Sequence, residues 1–313
     1  MERSRGPLLT SQADSATAAS TSRSAVVLPR PATVRWSHNA YGSRVSSPYS
    51  DLERPPLSER GLRRALLHEG SVWTELRVLE RTQSTNADVA AAARDGVAQG
   101  LVVVAEHQDA GRGRLDRSWT SPARAGLTFS VLLRPSAPRA TWSWLPLLAG
   151  LALQQSLVAL TELAVGLKWP NDLLVGGRKL AGVLAEVSGD AVVLGIGVNV
   201  TSRPEELPPQ ATSLAIEESP VIDRDTLFRA ALRSLGNAYD GWGLRDGSSA
   251  ELRSEYAAAC VTLGARVRVT LTGGGVLEGA GDAVDPDGRL LVRSDDGTVT
   301  AVSSGDVEHV RSA

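Results

Sequence analysis

The sequence is poor in the residues that build several common kinds of site. Its 313 residues include one cysteine, Cys260, which excludes an internal disulfide and a thiolate zinc cluster. The four histidines are far apart in sequence, so no metal-ligand spacing is visible. The longest apolar region, residues 142–160, is interrupted by Pro146 and Gln154–Gln155, which predicts that it does not cross a membrane. These absences favour a protein of the reducing cytoplasm.

Lysine is almost absent. Of the 33 basic residues only Lys168 and Lys179 are lysines, and they lie eleven positions apart. Coding bias towards arginine accounts for the rarity but not for the proximity of the two that remain. A compact ammonium cannot be replaced by a planar guanidinium where a site needs a point charge, so both lysines are candidate site residues. The net charge of -2 predicts no general attraction to DNA or to an anionic membrane.

The chain divides into three parts by composition. Residues 1–56 are rich in serine, arginine and proline without an apolar period, which predicts a disordered extension; a transit peptide and an early start codon are alternatives. Residues 57–259 alternate between β-like and helical patterns and form the predicted catalytic domain. Residues 260–313 contain short strands with Asp-Gly turns, which predicts a small β-barrel.

The middle part predicts a mixture of strands and helices. Thr85 and Asp88 have capping-box spacing at the start of an alanine-rich helix that Gly96 ends. The predicted elements are strands at 76–80, 101–108 and 126–135, a long buried helix over 140–164, a β-meander through 173–200, and helices at 59–69, 223–242 and 248–259.

The segment GRGRLDRSW (111–119) is a glycine-rich loop with three arginines. It is not a P-loop, because the chain has no Gly-Lys pair. It is not a dinucleotide-binding turn either, because Asp116 stands where the third glycine is required. Two interpretations remain: a flexible flap whose arginines close over an anion, or a solvated basic surface loop.

Five segments together resemble biotin–protein ligases in order and spacing. They are QSTN (83–86), GRGRLDRSW (111–119), KWPNDLL (168–174), RKLAGVLAE (178–186) and GIGVNV (195–200). The resemblance covers residues 72–311 and implies an α+β fold, in which a class II synthetase-like catalytic domain with a mixed sheet precedes a small SH3-like β-barrel. It is strongest to the ligase-only subgroup, which has no DNA-binding domain. Asp116 is a departure, because the family commonly has glycine there.

The resemblance implies a two-step reaction. Biotin and ATP, with Mg²⁺, form biotinyl-5'-adenylate, and biotin then passes to a lysine of a biotin carboxyl carrier protein of acyl-CoA carboxylases. The implied catalytic residues are Arg114, Lys179 and Asp172, of which Asp172 is also a candidate metal contact. The implied biotin contacts are Ser84, Thr85, Asn86, Gln108, Arg112, Gly113, Arg114, Lys179, Gly182, Gly195 and Gly197. The implied ATP or adenylate contacts are Gly111, Arg112, Arg114, Trp119, Lys168, Asn171 and Asn199.

Other functions remain as alternatives at this point. A lipoate or octanoate ligase shares the general fold and the adenylation chemistry, but its arginine–glycine segment differs. A biotin sensor that binds without transfer is a second alternative, and a catalytically dead module is a third, although it would be expected to lose Lys179 or Arg114. The expected protein is cytoplasmic, binds neither DNA nor membrane, and is a monomer or homodimer.

Overall fold

The computed structural model describes residues 54–115, 117–244, 250–271 and 274–310. Most of the predicted extension, and Asp116, lie outside the described residues. Arg54, at the end of that predicted extension, is buried; it donates to the carbonyl of Thr201 at 2.9 Å and pairs with Glu206 at 2.6 Å. The boundary predicted at residue 56 is therefore too late, because Arg54 is part of the fold.

A seven-stranded sheet forms the centre of the protein. Its strands are β1 (Glu75–Leu79), β2 (Leu101–Ala105), β3 (Gly126–Leu133), β4 (Val165–Lys168), β5 (Asp172–Val175), β6 (Arg178–Ser188) and β7 (Ala191–Asn199), in the order β1-β2-β3-β7-β6-β5-β4. The β1–β2 pair is parallel and the other pairs are antiparallel, which confirms the predicted mixed sheet. The edge strand β4 was not predicted.

Helices cover both faces of the sheet, and every residue of β7 is buried. The helices are α1 (Glu59–Leu66), α2 (Thr85–Arg94), α3 (Leu145–Thr161), α4 (Arg224–Gly243) and α5 (Ala250–Ala259). Helix α2 lies on one face and packs on a small apolar cluster that includes Val103, Leu132 and Val193. Helices α3 and α4 pack together on the other face, where the main core lies.

Helix α3 continues from a 3₁₀ turn, Arg139–Trp144, as one helical segment. The long buried helix predicted over 140–164 is confirmed, and it tolerates Pro146 because this residue occupies the first helical turn, where its missing N–H is not needed. By length and composition the segment could cross a membrane, with a mean hydropathy of 1.4, but 61% of its most apolar window is buried inside the protein. It is therefore the central core helix of this fold.

A five-stranded antiparallel sheet forms the C-terminal β-domain, as the sequence predicts. Its strands are β8 (Arg266–Leu271), β9 (Val276–Val284), β10 (Leu290–Arg293), β11 (Val299–Val302) and β12 (Gly305–His309), in the order β11-β10-β9-β8-β12. Two indoles attach it to the catalytic part: Trp144 donates to the carbonyl of Pro286 at 2.7 Å, and Trp169 to that of Gly288 at 3.0 Å. Both carbonyls belong to the turn between β9 and β10, so these bonds fix that turn against the catalytic part.

Candidate active site

Three glycines leave one face of the central strands bare. Gly182 of β6 lies opposite Gly197 of β7, which lies opposite Thr128 of β3. Gly195, two residues earlier on β7, lies opposite Ser130 and therefore projects from the same face. This face carries α2, so a depression forms between the helix and the sheet.

Two of these glycines make room for protein side chains. A Cβ atom at Gly195 would lie 2.1 Å from Oδ1 of Asn86, and one at Gly197 would lie 2.5 Å from the ring of Trp119. Asn86 and Trp119 therefore lie against Gly195 and Gly197, and both glycines still line the cavity. Gly182 differs, because its nearest neighbour is the flexible end of Lys179 at 3.3 Å.

The N-terminus of α2 projects into this depression. Ser84 is the N-cap residue, and its hydroxyl accepts from the amide of Ala87. The predicted capping box of Thr85 and Asp88 is wrong, because Asp88 accepts a 2.6 Å hydrogen bond from the hydroxyl of Thr82 instead. The shift of the cap by one residue leaves the Thr85 hydroxyl for the cavity.

A network of hydrogen-bonded side chains surrounds this helix start, and all of them are neutral except Glu186 at its edge. Oε1 of Gln108 accepts from the amide and the hydroxyl of Thr85, at 2.8 and 3.0 Å. The hydroxyl of Ser130 lies 2.7 Å from Oγ1 of Thr85 and 2.6 Å from Oδ1 of Asn86. Nδ2 of Asn86 donates to Glu186 at 2.6 Å. Because buried polar groups with partners are held in place, this end of the cavity is rigid.

The segment 111–119 is called the lid loop, and its described residues, 111–115 and 117–119, form a narrow hairpin over the other end of the cavity. The amide of Trp119 donates to the carbonyl of Gly111 at 2.8 Å, and that of Gly113 to the carbonyl of Arg117 at 2.6 Å. A Cβ atom at Gly111 would lie 2.3 Å from the Trp119 carbonyl oxygen. Glycine is therefore required at the base of the hairpin.

The arginines of the lid loop contact residues that are far away in sequence. Arg112 donates to Glu186 of β6 at 3.1 Å. Arg114 donates to Oδ1 of Asn171 at 3.2 Å and to the hydroxyl of Ser304 at 3.0 Å. The second of these bonds joins the lid loop to the C-terminal β-domain.

Arg117 makes a second connection to the β-domain, an ion pair with Asp306. The hydrogen bond to Asp306 raises the pKa of Arg117, whereas burial lowers the pKa of Arg114, an effect that Asp172 and Asp306 partly oppose. Both guanidinium groups remain cationic, because the arginine pKa starts above ~12. The loop therefore brings fixed positive charge to the cavity.

Lys179 supplies a further cation from β6. Its ammonium lies 2.6 Å from Oδ1 of Asp172 and 5.8 Å from the ring centroid of Trp119. Both of its backbone groups are held by the segment after β7: its amide donates to the carbonyl of Gln210 at 2.8 Å, and its carbonyl accepts from Thr212 at 2.9 Å. The position of Lys179 thus depends on residues more than thirty positions away in sequence.

Asn199 does not reach the cavity, contrary to its predicted contact with the nucleotide. Its Nδ2 donates to the carbonyl of Thr212 at 2.9 Å, its own carbonyl accepts from Leu214 at 3.1 Å, and it is 3% exposed. It holds the segment that supports Lys179. Gly111 also lies outside the cavity lining, at the base of the lid loop.

The structure gathers all the other predicted site residues around one cavity. They are Ser84, Thr85, Asn86, Gln108, Arg112, Gly113, Arg114, Trp119, Lys168, Asn171, Asp172, Lys179, Gly182, Gly195 and Gly197. Both lysines of the chain are among them. Their clustering in sequence therefore reflects a shared place in the fold.

Several lining residues were missed by the sequence analysis. Gly305, Asp306 and Val307 come from β12, and no sequence signal predicted that the β-domain reaches the cavity. Pro170 lies in the KWPNDLL segment but was given no role. Glu186, which contacts both Asn86 and Arg112, ends the RKLAGVLAE segment but was given no role.

The described residues hold no group of three or more histidine, cysteine or carboxylate side chains that could bind a metal ion. Asp172 lines the cavity, and apart from its ion pair with Lys179 its Oδ1 has no hydrogen-bond partner among the described residues. One such carboxylate suits Mg²⁺ that is bound mainly by nucleotide phosphates.

Two family models match the chain. The model of the biotin/lipoate A/B protein ligase family matches residues 78–201, and that of the biotin protein ligase C-terminal domain matches residues 262–310. The mixed sheet and the cavity thus belong to a class of ligases that act on biotin or lipoate. The second model covers the β-domain that completes the cavity.

Individual relatives narrow this class. The chain is 45% identical to a biotin–[acetyl-CoA-carboxylase] ligase of Mycobacterium tuberculosis, over 83% of this chain and 98% of the relative. It is 31% identical to a bifunctional ligase/repressor of Bacillus subtilis, over 74% of this chain and 72% of the relative. The solved biotin protein ligase of Aquifex aeolicus in complex with biotin and ATP has a TM-score of 0.66 and 30% identity, over 77% of this chain and all of that one. The chain belongs to the biotin protein ligase family.

Proposed function

We propose that the chain activates biotin with ATP and transfers it to a lysine of a carrier protein. The observation that carries this proposal is the division of one cavity into two ends. The neutral end is formed by Ser84, Thr85, Asn86 and Gln108, and the cationic end by Arg114 and both lysines of the chain. Such a cavity suits the joining of an uncharged ring system, bearing a carboxylate, to a nucleotide phosphate.

The neutral end binds the ureido ring of biotin. That ring carries N–H donors and a carbonyl acceptor but no charge, so it needs partners of both kinds. Ser84, Thr85 and Gln108 offer hydroxyl and amide groups there, and Asn86 closes the wall behind them. Because these side chains are already fixed by one another, little conformational entropy is lost on binding.

The cationic end brings the biotin carboxylate to the α-phosphate of ATP. Two unit charges at ~4 Å and an effective dielectric of ~20 repel by about 4 kcal/mol, a factor of about a thousand in rate. Lys179 and Arg114 offset this repulsion. The carboxylate oxygen forms a bond to the α-phosphorus, the bond from that phosphorus to the pyrophosphate oxygen breaks, and pyrophosphate leaves.

The nucleotide lies along the lid loop. The Nε1–H group of Trp119 is buried without a hydrogen-bond partner among the described residues, so a nucleotide acceptor would satisfy it while the ring stacks on the base. Asn171 and Lys168 line the same end, whereas Asn199 acts indirectly through the segment that holds Lys179. Mg²⁺ carried by ATP would neutralise the leaving pyrophosphate, with Asp172 beside it.

The acceptor lysine enters through a neighbouring groove. A groove of about 440 Å³ shares Arg114 and Asn171 with the cavity and is bounded by Gly288 and Ser303 of the β-domain. The amine nitrogen attacks the acyl carbon of the adenylate, AMP leaves with the bonding electrons, and the amine loses a proton. The proposed acceptor is the carboxyl carrier protein of an acyl-CoA carboxylase, and the proposed compartment is the cytoplasm.

One incubation tests this function. The protein is mixed with ATP, Mg²⁺, biotin and a biotin carrier domain, and the intact mass of the carrier is measured. We expect the added mass of one biotin, which disappears when ATP is omitted. Replacing biotin by lipoate separates the two branches of the family, and a carrier modified only with lipoate would refute the proposal.

A further inference from the structure

Glu186 contacts both the neutral end of the cavity and the lid loop. Its Oε2 accepts from Nδ2 of Asn86 at 2.6 Å and from Nη2 of Arg112 at 3.1 Å. The register explains this position: Glu186 follows Gly182 by four residues on β6, so it projects from the same face at the rim of the cavity. One oxygen atom thus accepts hydrogen bonds from both the wall of the cavity and the lid loop.

The contact also fixes the Asn86 amide. Oδ1 of Asn86 faces the hydroxyl of Ser130 and lies against the backbone of Gly195, so Nδ2 must point towards Glu186. An acceptor at residue 186 is therefore needed to keep this side chain in the wall of the cavity. Glu186 supplies this acceptor, and its negative charge also attracts Arg112.

We propose that Glu186 is a positioning residue that couples binding at the neutral end to closure of the lid loop. This inference rests on the proposed function, in which the neutral end takes the ureido ring. The Arg112–Glu186 pair is part-exposed, with 48% and 32% of the two side chains accessible, so water screens it in the free protein. Biotin displaces water beside the pair and strengthens the attraction. By linkage, a loop held by Glu186 binds biotin more tightly.

Biotin affinity of the full chain tests the coupling. We measure it by titration calorimetry for the parent, Glu186→Gln, Arg112→Ala and the double variant. Loss of one charge-assisted contact weakens binding about tenfold in Glu186→Gln. In the Arg112→Ala background the same substitution adds less than about twofold, because the partner through which Glu186 acts is already gone.

Asp190→Asn is the matched control. Asp190 lies in the turn after β6 and pairs with Arg134, outside the cavity lining, so its substitution leaves biotin affinity unchanged. A second measurement follows tryptic cleavage after the arginines of the lid loop. Biotin protects the loop in the parent and in Asp190→Asn, and the protection is reduced in Glu186→Gln.

Two results would overturn the inference while the proposed function stands. One is parent-like biotin affinity in Glu186→Gln; the other is an equal loss with and without Arg112, which would mean that Glu186 acts independently of the lid loop. A parent protein that does not bind biotin would instead refute the proposed function, and the inference with it. Glutamine retains an acceptor for Asn86, so melting temperatures near that of the parent are expected throughout.

Discussion

The two ends of the cavity are built on different principles. At the neutral end the side chains are bonded to one another, as in the link from Gln108 through Thr85 to Ser130, and Thr85 and Ser130 are buried. At the cationic end the groups are part-exposed and paired with segments far away in sequence, as Arg114 is with Ser304. The neutral end is therefore preorganised, whereas the cationic end can exchange its protein partners for an anionic ligand. In the proposed function, the neutral end recognises the biotin ring and the cationic end carries out the adenylation.

The largest effect is expected from Lys179→Gln, which removes a cation from the reacting end. If Lys179 offsets the repulsion between carboxylate and phosphate, pyrophosphate release should slow by about a thousandfold. Lys179→Arg should not restore it, because a planar fork does not reproduce the point charge beside Asp172. Arg178→Gln is the control, since Arg178 pairs with Glu217 and does not line the cavity. Near-parent rates in both Lys179 variants would contradict the division between the two ends.

Arg114→Ala should have the next largest effect, on retention of the intermediate. The guanidinium contributes charge-assisted hydrogen bonds, so biotinyl-adenylate should dissociate about ten- to a hundredfold faster. Release of labelled adenylate in a chase experiment measures this rate. Arg77→Ala, which removes an exposed arginine paired with Glu75 on β1, should leave it unchanged. An unaltered rate in Arg114→Ala would show that the lid arginine does not face the anion.

Gly195→Ala tests the neutral end. The new Cβ atom would meet Oδ1 of Asn86 at 2.1 Å, so Asn86 has to leave the wall of the cavity. Biotin affinity should fall about tenfold, the value of one displaced polar contact, with little change in the KM for ATP. Gly241→Ala is the control, because a Cβ atom there meets nothing within 4 Å. Equal losses for biotin and ATP would mean that the two ends are not separable.

The same contrast explains what the sequence could predict. Ser84, Thr85 and Asn86 are consecutive at a helix start, so their convergence follows from local structure, although the cap lies at Ser84 rather than Thr85. The strands of the central meander were predictable for the same reason. Lys168 and Lys179 were found because a rare residue occurred twice within a short distance.

The cationic end needed information that local patterns do not contain. Asp306 reaches Arg117 only because the β-domain docks through Trp144 and Trp169, and no period or spacing encodes that orientation. Asn199 was assigned to the nucleotide from its motif, whereas the chain after β7 folds back and takes up its side chain. Long-range packing decided both outcomes.

The smallest effect is expected at the greatest distance from the chemistry. Arg54 bonds to Thr201 and Glu206 in the segment that continues to Thr212 and the backbone of Lys179. Arg54→Ala in the full chain should lower the melting temperature by several degrees and slightly slow pyrophosphate release, with biotin affinity unchanged. Deletion of residues 1–53 keeps Arg54 and should change neither the melting temperature nor the rate of pyrophosphate release, because the composition of these residues predicts no packed structure.

The stabilisation by Arg54 is expected to depend on pH, and the pKa of Glu206 gives the direction of this dependence. The hydrogen bond from Arg54 lowers the pKa of Glu206 below its ordinary carboxyl value. The stabilisation is then fully present above that ordinary value and is lost as the pH falls through the lowered one. The gap in melting temperature between the parent and Arg54→Ala should therefore be widest near neutral pH and close in acid. If the gap does not narrow in acid, Arg54 stabilises the fold through the Thr201 carbonyl rather than through Glu206. If the variant without residues 1–53 loses activity, the extension itself supports the cationic end.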